Sequence, residues 1–348
     1  MKTLLKDFRD ELLEKLLALI WRQWCALGVA GTGEPEDRWV IDPEALLAIT
    51  ATMARYEARV FDEALDWLQV NGRFINIQRI KTILKKERFA GDRVLAAIAD
   101  LMSRGAAAAK WKRLAEIDSG AGKKEEPLFF LKDGRPLTAI RETEPVFQAH
   151  GLVRDKIRLR GYSRSFRTEP VTNLHLKLRA FFGVNARCEI VLFLLMNRQG
   201  HPREIARQCY YYQKTVQDTL VDMRCSGLVQ VAPSGREKLY RLSSPAWNNL
   251  LVGGNELPRW VCWPPFFSAL ERIWLGISDH GMASTEKPLL LSSKLRELMK
   301  STRGDIERSG LGDRLSDEKA YVGEEYIPVF LKDVRSLFAE SNAKVIIR

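Results

Sequence analysis

Apolar side chains recur every three or four positions over residues 3 to 28: Leu5, Phe8, Leu12, Leu16, Ile20 and Trp24, flanked by Leu13, Leu17 and Trp21. That spacing predicts an amphipathic helix. Asp42 followed by Pro43 is an N-cap with proline in the first helical position, and the pattern beyond it predicts one long helix ending at Asn71 and Gly72. Shorter helices are expected near 76–86 and 91–104. The stretch from Ser119 to Pro127 is small, charged and aperiodic, which marks a boundary. Residues 128–184 are irregular, with two or three short strand-like runs. Beyond Ser243, helices are expected near 266–277, 289–302 and 325–340. The expected fold class is therefore mainly α: a helical domain at 1–118, a linker at 119–127, a basic connecting region at 128–184, a compact unit at 185–243 and a helical region at 244–348. A chain of 348 residues exceeds what one core usually supports, so several domains are expected.

The central unit is the most informative stretch. Between Arg203 and Val229 the apolar positions fall in two sets that no single helix can align: Ile205, Ala206 and Cys209, then Val216, Leu220 and Met223. The break at Tyr210, Tyr211 and Tyr212 is the turn between two short helices. Gly200 and Pro202 mark the start of the first. Upstream, Asn185 caps a helix lined by Ile190, Val191, Leu194 and Leu195. Downstream, Gly227 ends the second helix of the pair, and LVQVAPSGREKLYRL reads as two alternating strands around a Pro-Ser-Gly turn. Helix, helix, helix, hairpin is the order of a winged helix.

Residues 185–242 resemble the winged helix-turn-helix domain of bacterial ArsR-type and MarR-type transcriptional regulators, with a gapless correspondence from Ile205 to Val229. The resemblance implies that the second helix of the pair enters the major groove of double-stranded DNA while the wing tip reaches the adjacent minor groove or phosphates. It assigns Tyr212, Gln213, Lys214, Gln217 and Asp218 to the exposed face of the recognition helix, and Arg236 and Lys238 to the wing. Gln213 and Gln217, one turn apart, each offer a donor and an acceptor to an adenine edge, while Lys214, Arg224, Arg236 and Lys238 suit phosphates. Asp218 either accepts from a cytosine amine or pairs locally. Where the family usually carries glycine this chain has Tyr210, which asks a bulky residue to take positive φ. The metal-binding cysteine pattern of ArsR-type sensors is absent.

Charge supports the same segment. The chain carries 55 Lys and Arg against 44 Asp and Glu, a net of +11, and residues 151–246 hold 17 basic and 7 acidic side chains. Nearly all the excess lies there, as expected of a surface that meets a polyanion. Its densest part is RDKIRLRGYSRSFR (154–167), in which Arg154, Lys156, Arg158 and Arg160 alternate along an extended chain and are expected to track phosphates as an arm, with Tyr162 and Phe166 interleaved.

Enzyme chemistry finds little purchase. GVAGTG (28–33) lacks the Lys-Ser/Thr of a phosphate loop, Ser292, Ser293 and Lys294 are spaced to begin a helix, and the four histidines form no triad or zinc pattern. Five scattered cysteines read as reduced thiols without metal. Charges interrupt every apolar run, so a cytoplasmic protein with neither signal peptide nor membrane span is expected. Trp247, Trp260, Trp263 and Trp274 are expected in a core or dimer interface, and a weaker helix-turn-helix echo at Ile83 to Leu101 reads as an ordinary helical hairpin. The expected class is a non-enzymatic DNA-binding regulator without cofactor, with a homodimer as the partner state. The alternative is a subunit of a larger assembly, for example a defence complex, whose winged helix docks protein or RNA.

Overall fold

A computed structural model describes residues 2–31, 36–105, 108–118, 124–234, 237–243 and 259–339. Helix α1 (Lys2–Ala26) follows the predicted stripe and buries Phe8, Leu12, Leu16, Ile20 and Trp24. Helix α2 (Pro43–Met53) begins at the predicted cap, where the Asp42 carboxylate accepts the backbone N–H groups of Glu44 and Ala45, and it is buried on all sides. The single long helix expected after Asp42 does not form. A 3-10 turn at Ala54–Tyr56 interrupts it, and α3 (Ala58–Asn71) restarts behind a Glu57 cap. The interruption turns Arg55 toward the connecting region, where it donates to the carbonyls of Pro127 and Leu128 and to Glu126, each at 2.9 Å. Neither glycine nor proline marks that break, so periodicity ran through it.

Helices α4 (Ile77–Glu87), α5 (Asp92–Met102) and α6 (Ala108–Ala115) follow. α4 packs on α2 and α6, and α5 packs on α6 and α2, rather than the two closing on each other as a hairpin. The connecting region holds α7 (Pro145–Ala149) and a parallel pair of two-residue strands, β1 (Glu126–Pro127) and β2 (Leu152–Val153). The last part of the chain supplies α12 (Trp263–Ser278), α13 (His280–Ala283), α14 (Pro288–Ser309) and α15 (Tyr326–Leu337).

The two ends, expected as separate domains, share one hydrophobic core. Phe8 of α1 meets Phe330 of α15 edge-on at 6.3 Å, Tyr56 packs on Trp274 at 5.4 Å, and Arg335 forks onto Glu11 across the same seam. Trp263 and Trp274 are buried in this core and Trp260 is half-buried, while Trp247 lies outside the described residues. Ser292, Ser293 and Lys294 fall inside α14, one turn beyond its start at Pro288 rather than at its beginning.

A second core belongs to residues 174–242: α8 (Leu174–Phe182), α9 (Ala186–Asn197), α10 (Pro202–Cys209), α11 (Gln213–Cys225) and a three-stranded antiparallel sheet. In that sheet β5 (Glu237–Leu242) lies between β3 (Gln199–Gly200) and β4 (Val229–Ser234). Gly200 is required in β3, because a Cβ there would lie 2.4 Å from the Phe193 ring. The two cores interlock: Val40 of the first body is buried in the second, and Leu176 and Tyr210 of the second are buried in the first. The molecule is thus mainly helical with two small sheets, and no helix among the described residues is long and apolar enough to cross a membrane.

Candidate nucleic-acid interface

The three tyrosines at the α10–α11 turn do three different things. Tyr210 caps α10 in the left-handed region, φ +60° and ψ +38°, the conformation for which glycine is the usual residue. Its ring is 3% exposed, and its hydroxyl donates at 2.6 Å to Glu87, a buried carboxylate that also receives Arg308. Burial pushes the phenol well above its ordinary pKa, so it stays a donor. Tyr211 is half-buried, its oxygen accepting from the Asn76 amide at 2.6 Å. Tyr212 is 74% exposed and occupies the N-cap position of α11. The first two anchor the turn to the first body, and the third faces solvent.

Helix α11 is amphipathic in the predicted sense. Val216, Leu220 and Met223 are buried, while Gln213, Lys214, Gln217, Asp218 and Arg224 are exposed. Its first two turns thus present two amides, an ammonium and a carboxylate together. Lys214 donates to Asp218 at 2.8 Å, so of the two roles open to Asp218 the local pair is the one formed in the free protein. On the hairpin, Lys238 is exposed and pairs across the ladder with Pro233, whereas Arg236 lies outside the described residues.

The basic arm needs correction at its first residue. Arg154 is 4% exposed, forks onto Asp62 at 2.7 and 3.1 Å and lies over the rings of Phe129, Phe147 and Phe61. It is a core guanidinium, unavailable to a phosphate. From there the chain does alternate: Ile157 and Leu159 pack on the first core, and Lys156, Arg158 and Arg160 point away. Lys156 pairs with Glu142 and Arg160 lies 3.7 Å from Glu63, while Arg158 makes no ion pair among the described residues. α3 holds the arm extended: Asp66 accepts the N–H groups of Gly161 and Ser163, and the Asn71 amide donates to the Arg164 carbonyl. Phe166 ends the arm against Phe74, two residues from the Asn76 that holds Tyr211. Tyr162 is exposed beside it.

Behind the turn lies a buried charge cluster with no counterpart among the sequence-based expectations. Arg79 forks onto Asp42 at 2.5 and 2.7 Å and reaches Glu44 at 2.6 Å; Arg179 forks onto Glu44 at 2.5 and 2.7 Å and reaches Glu189 at 2.7 Å. His175 Nε2 sits 2.9 Å from both Glu189 oxygens, and Arg79 Nε donates to the Cys209 carbonyl. Burial alone would raise the Glu189 carboxyl, but His175, Arg179 and Arg79 hold it well below the usual range. Two guanidiniums and an imidazole thus meet three carboxylates, all nearly inaccessible, at the seam between the bodies. His175, Cys188 and Glu189 place ligand-type atoms within 4.8 Å of one another, yet Glu189 already lies against the Arg79 and Arg179 guanidiniums and the His175 ring. The pattern does hold a signal for this cluster. Asp42 and Glu44 open an otherwise apolar helix, and Glu189 stands between Cys188 and the run Ile190 to Leu195.

None of the five cysteines forms a disulfide, and three of them are buried. In comparisons with known proteins, no family model, no curated protein and no solved structure matches the chain.

Proposed function

We propose that residues 185–243 are a winged helix that binds double-stranded DNA, and that the chain is a DNA-binding regulator rather than an enzyme. The observation that carries the proposal is the face of α11: five polar side chains, Tyr212, Gln213, Lys214, Gln217 and Asp218, exposed together on its first two turns while the opposite side does all the packing. Such a helix N-terminus fits the major groove, and a hairpin after it fits the adjacent backbone. In this account Gln213 and Gln217 read bases, Lys214, Arg224 and Lys238 meet phosphates, and Lys156, Arg158 and Arg160 extend the track. Exposed ion pairs such as Lys214 with Asp218 are worth at most about 1 kcal/mol, so phosphates can displace them.

A second reading, a docking subunit of a larger assembly, draws on a different observation. The unit is fixed to the first body through Tyr210, Tyr211 and the buried charge cluster, and several arm cations are already paired. Fluorescence anisotropy on duplexes separates the two. For a regulator, Gln217→Ala relaxes preference at one base pair by about 1–3 kcal/mol, and Lys238→Ala weakens all duplexes alike and lowers the salt slope by about 1. If both variants bind as the parent does, α11 and the hairpin are not the contact surface.

A further inference from the structure

Outside residues 151–246 the chain is nearly balanced in charge, yet the first body gathers exposed cations along one helix. On α4, Gln78, Lys85 and Lys86 are exposed and Lys81 and Thr82 are half-buried, while the helix's one acid, Glu87, is turned inward onto Tyr210 and Arg308. Lys81 and Lys85, four residues apart, share one row of the helix, about 6 Å from each other along its axis. Helix α6 runs beside that row: Lys81 Nζ donates to the Arg113 carbonyl at 3.2 Å, and Lys110 Nζ donates to the carbonyls of Arg73 and Ile75 at 2.7 and 2.9 Å. The two lysines that tie the helices together thus rest on carbonyl dipoles and not on carboxylates. Arg73, just before α4, is exposed and lies over the Phe74 ring. Arg73, Lys81, Lys85, Lys86 and Arg113 form no ion pair among the described residues, and Glu116, the exposed acid that follows α6, pairs with none of them.

This row lies between the basic arm and the start of α11. At one end Phe74 packs edge-on against Phe166, where the arm stops, at 5.1 Å. Along its length α4 holds the turn before α11: Asn76, its N-cap, donates to Tyr211, and Lys86 Nζ sits 5.5 Å from the centre of the Tyr210 ring. Tyr212, the next residue, is exposed. We propose that the exposed side of α4, with Arg73 and Arg113, is a further contact for the phosphate backbone of double-stranded DNA, on the flank of the segment that α11 enters. The proposal rests on the reading of α11 given above. Cations grouped without carboxylates repel one another in the free protein, and phosphates relieve that repulsion while releasing their own counterions. Gln78 and Thr82, set among the lysines, add neutral donors suited to phosphate oxygens. Nothing on this side reads a base, so it adds affinity and no sequence preference. The same charges would draw an acidic protein surface, but the arm on one side and α11 on the other favour DNA.

The test is fluorescence anisotropy of the full-length protein on a labelled duplex of about 30 base pairs and mixed sequence, titrated at salt concentrations from about 50 to 200 mM. Three double variants are compared with the parent. Lys81→Gln, Lys85→Gln alters α4, and Lys214→Gln, Arg224→Gln alters α11. Lys300→Gln, Lys332→Gln removes the same charge from exposed positions of α14 and α15. The α4 pair should lower the salt slope by about 2 and the affinity at about 0.1 M salt by about tenfold or more, the α11 pair should do likewise, and the third pair should change neither. If circular dichroism shows that Lys81→Gln unsettles the fold, Arg73→Gln, Lys85→Gln takes its place. An α4 pair that binds as the parent does, while the α11 pair weakens, overturns the proposal and leaves the reading of α11 standing. Weakening by the α4 pair alone keeps α4 as a DNA contact and removes α11. Equal losses from the α4 pair and the α14–α15 pair overturn the proposal, as does a parent protein that binds no duplex.

Discussion

Replacing Tyr210 by glycine sets two effects of opposite sign against each other. The residue holds φ at +60°, where an L side chain costs roughly 1–2 kcal/mol and glycine almost nothing. Glycine also surrenders an aromatic ring that is 3% exposed in the core of the first body, a loss of about 3–5 kcal/mol for large-to-small changes of this kind. The third contribution is the 2.6 Å bond to Glu87, worth about 1.5–3 kcal/mol because its acceptor is charged and buried. The balance predicts that Tyr210→Gly is destabilised by about 2.5–7 kcal/mol. Tyr210→Phe, which keeps both ring and backbone strain, should lose only the hydroxyl contribution, softened because Arg308 still holds Glu87. Urea unfolding followed by circular dichroism measures both. A Tyr210→Gly protein as stable as the parent would show that backbone strain governs this turn and that the ring does not anchor it.

Other perturbations follow from the same structure. Arg154→Ala should destabilise the fold by about 2–4 kcal/mol without changing duplex affinity, whereas Arg158→Ala should weaken duplex binding and leave the melting temperature in place; the opposite pairing would return Arg154 to the arm. Asp218→Ala frees Lys214 and removes a carboxylate from the exposed side of α11, so under the proposed function affinity for all duplexes should rise and steepen in its salt dependence, and a loss of affinity would make Asp218 a base-reading residue. Glu271 is buried, and burial raises its carboxyl to about 7 from an unfolded value of 4.5. The folded state therefore binds the extra proton, and stability falls as pH rises from about 4.5 to 7 by up to roughly 3 kcal/mol. Glu271→Gln, which can still accept the Ala90 N–H, should flatten that fall in thermal melts across the range.

Local chemistry was legible where it acts locally. The Asp42-Pro43 cap, the two sets of apolar positions about Tyr210 and the strand alternation after Gly227 each gave an element at the place observed. The residues on the exposed side of α11 were named by the winged-helix resemblance, and the burial of Val216, Leu220 and Met223 leaves them exposed. What escaped is non-local. The union of α1 with α12, α14 and α15 rests on pairs such as Phe8 with Phe330, which no window along the chain contains. Arg154 belongs by sequence to an exposed basic run, yet three phenylalanines from distant elements and Asp62 enclose it. The buried cluster escaped for a related reason. Arg79 and Arg179 look like ordinary helix-surface charges until Asp42, Glu44 and Glu189 are brought against them. Such a cluster tolerates no single deletion cheaply, since removing one partner strands a buried charge at about 3–5 kcal/mol.

The central claim, that α11 reads duplex DNA, is tested most directly by selecting binding sequences from a randomised duplex library with the parent protein and with Gln213→Ala, Gln217→Ala side by side. The account predicts an enriched motif for the parent, held over scrambled duplex by about a thousandfold or more at physiological salt, and palindromic if the protein binds as a homodimer. It predicts that the double variant loses that preference at specific positions while retaining non-specific affinity. Enrichment of no motif, or the same motif with both proteins, would contradict it.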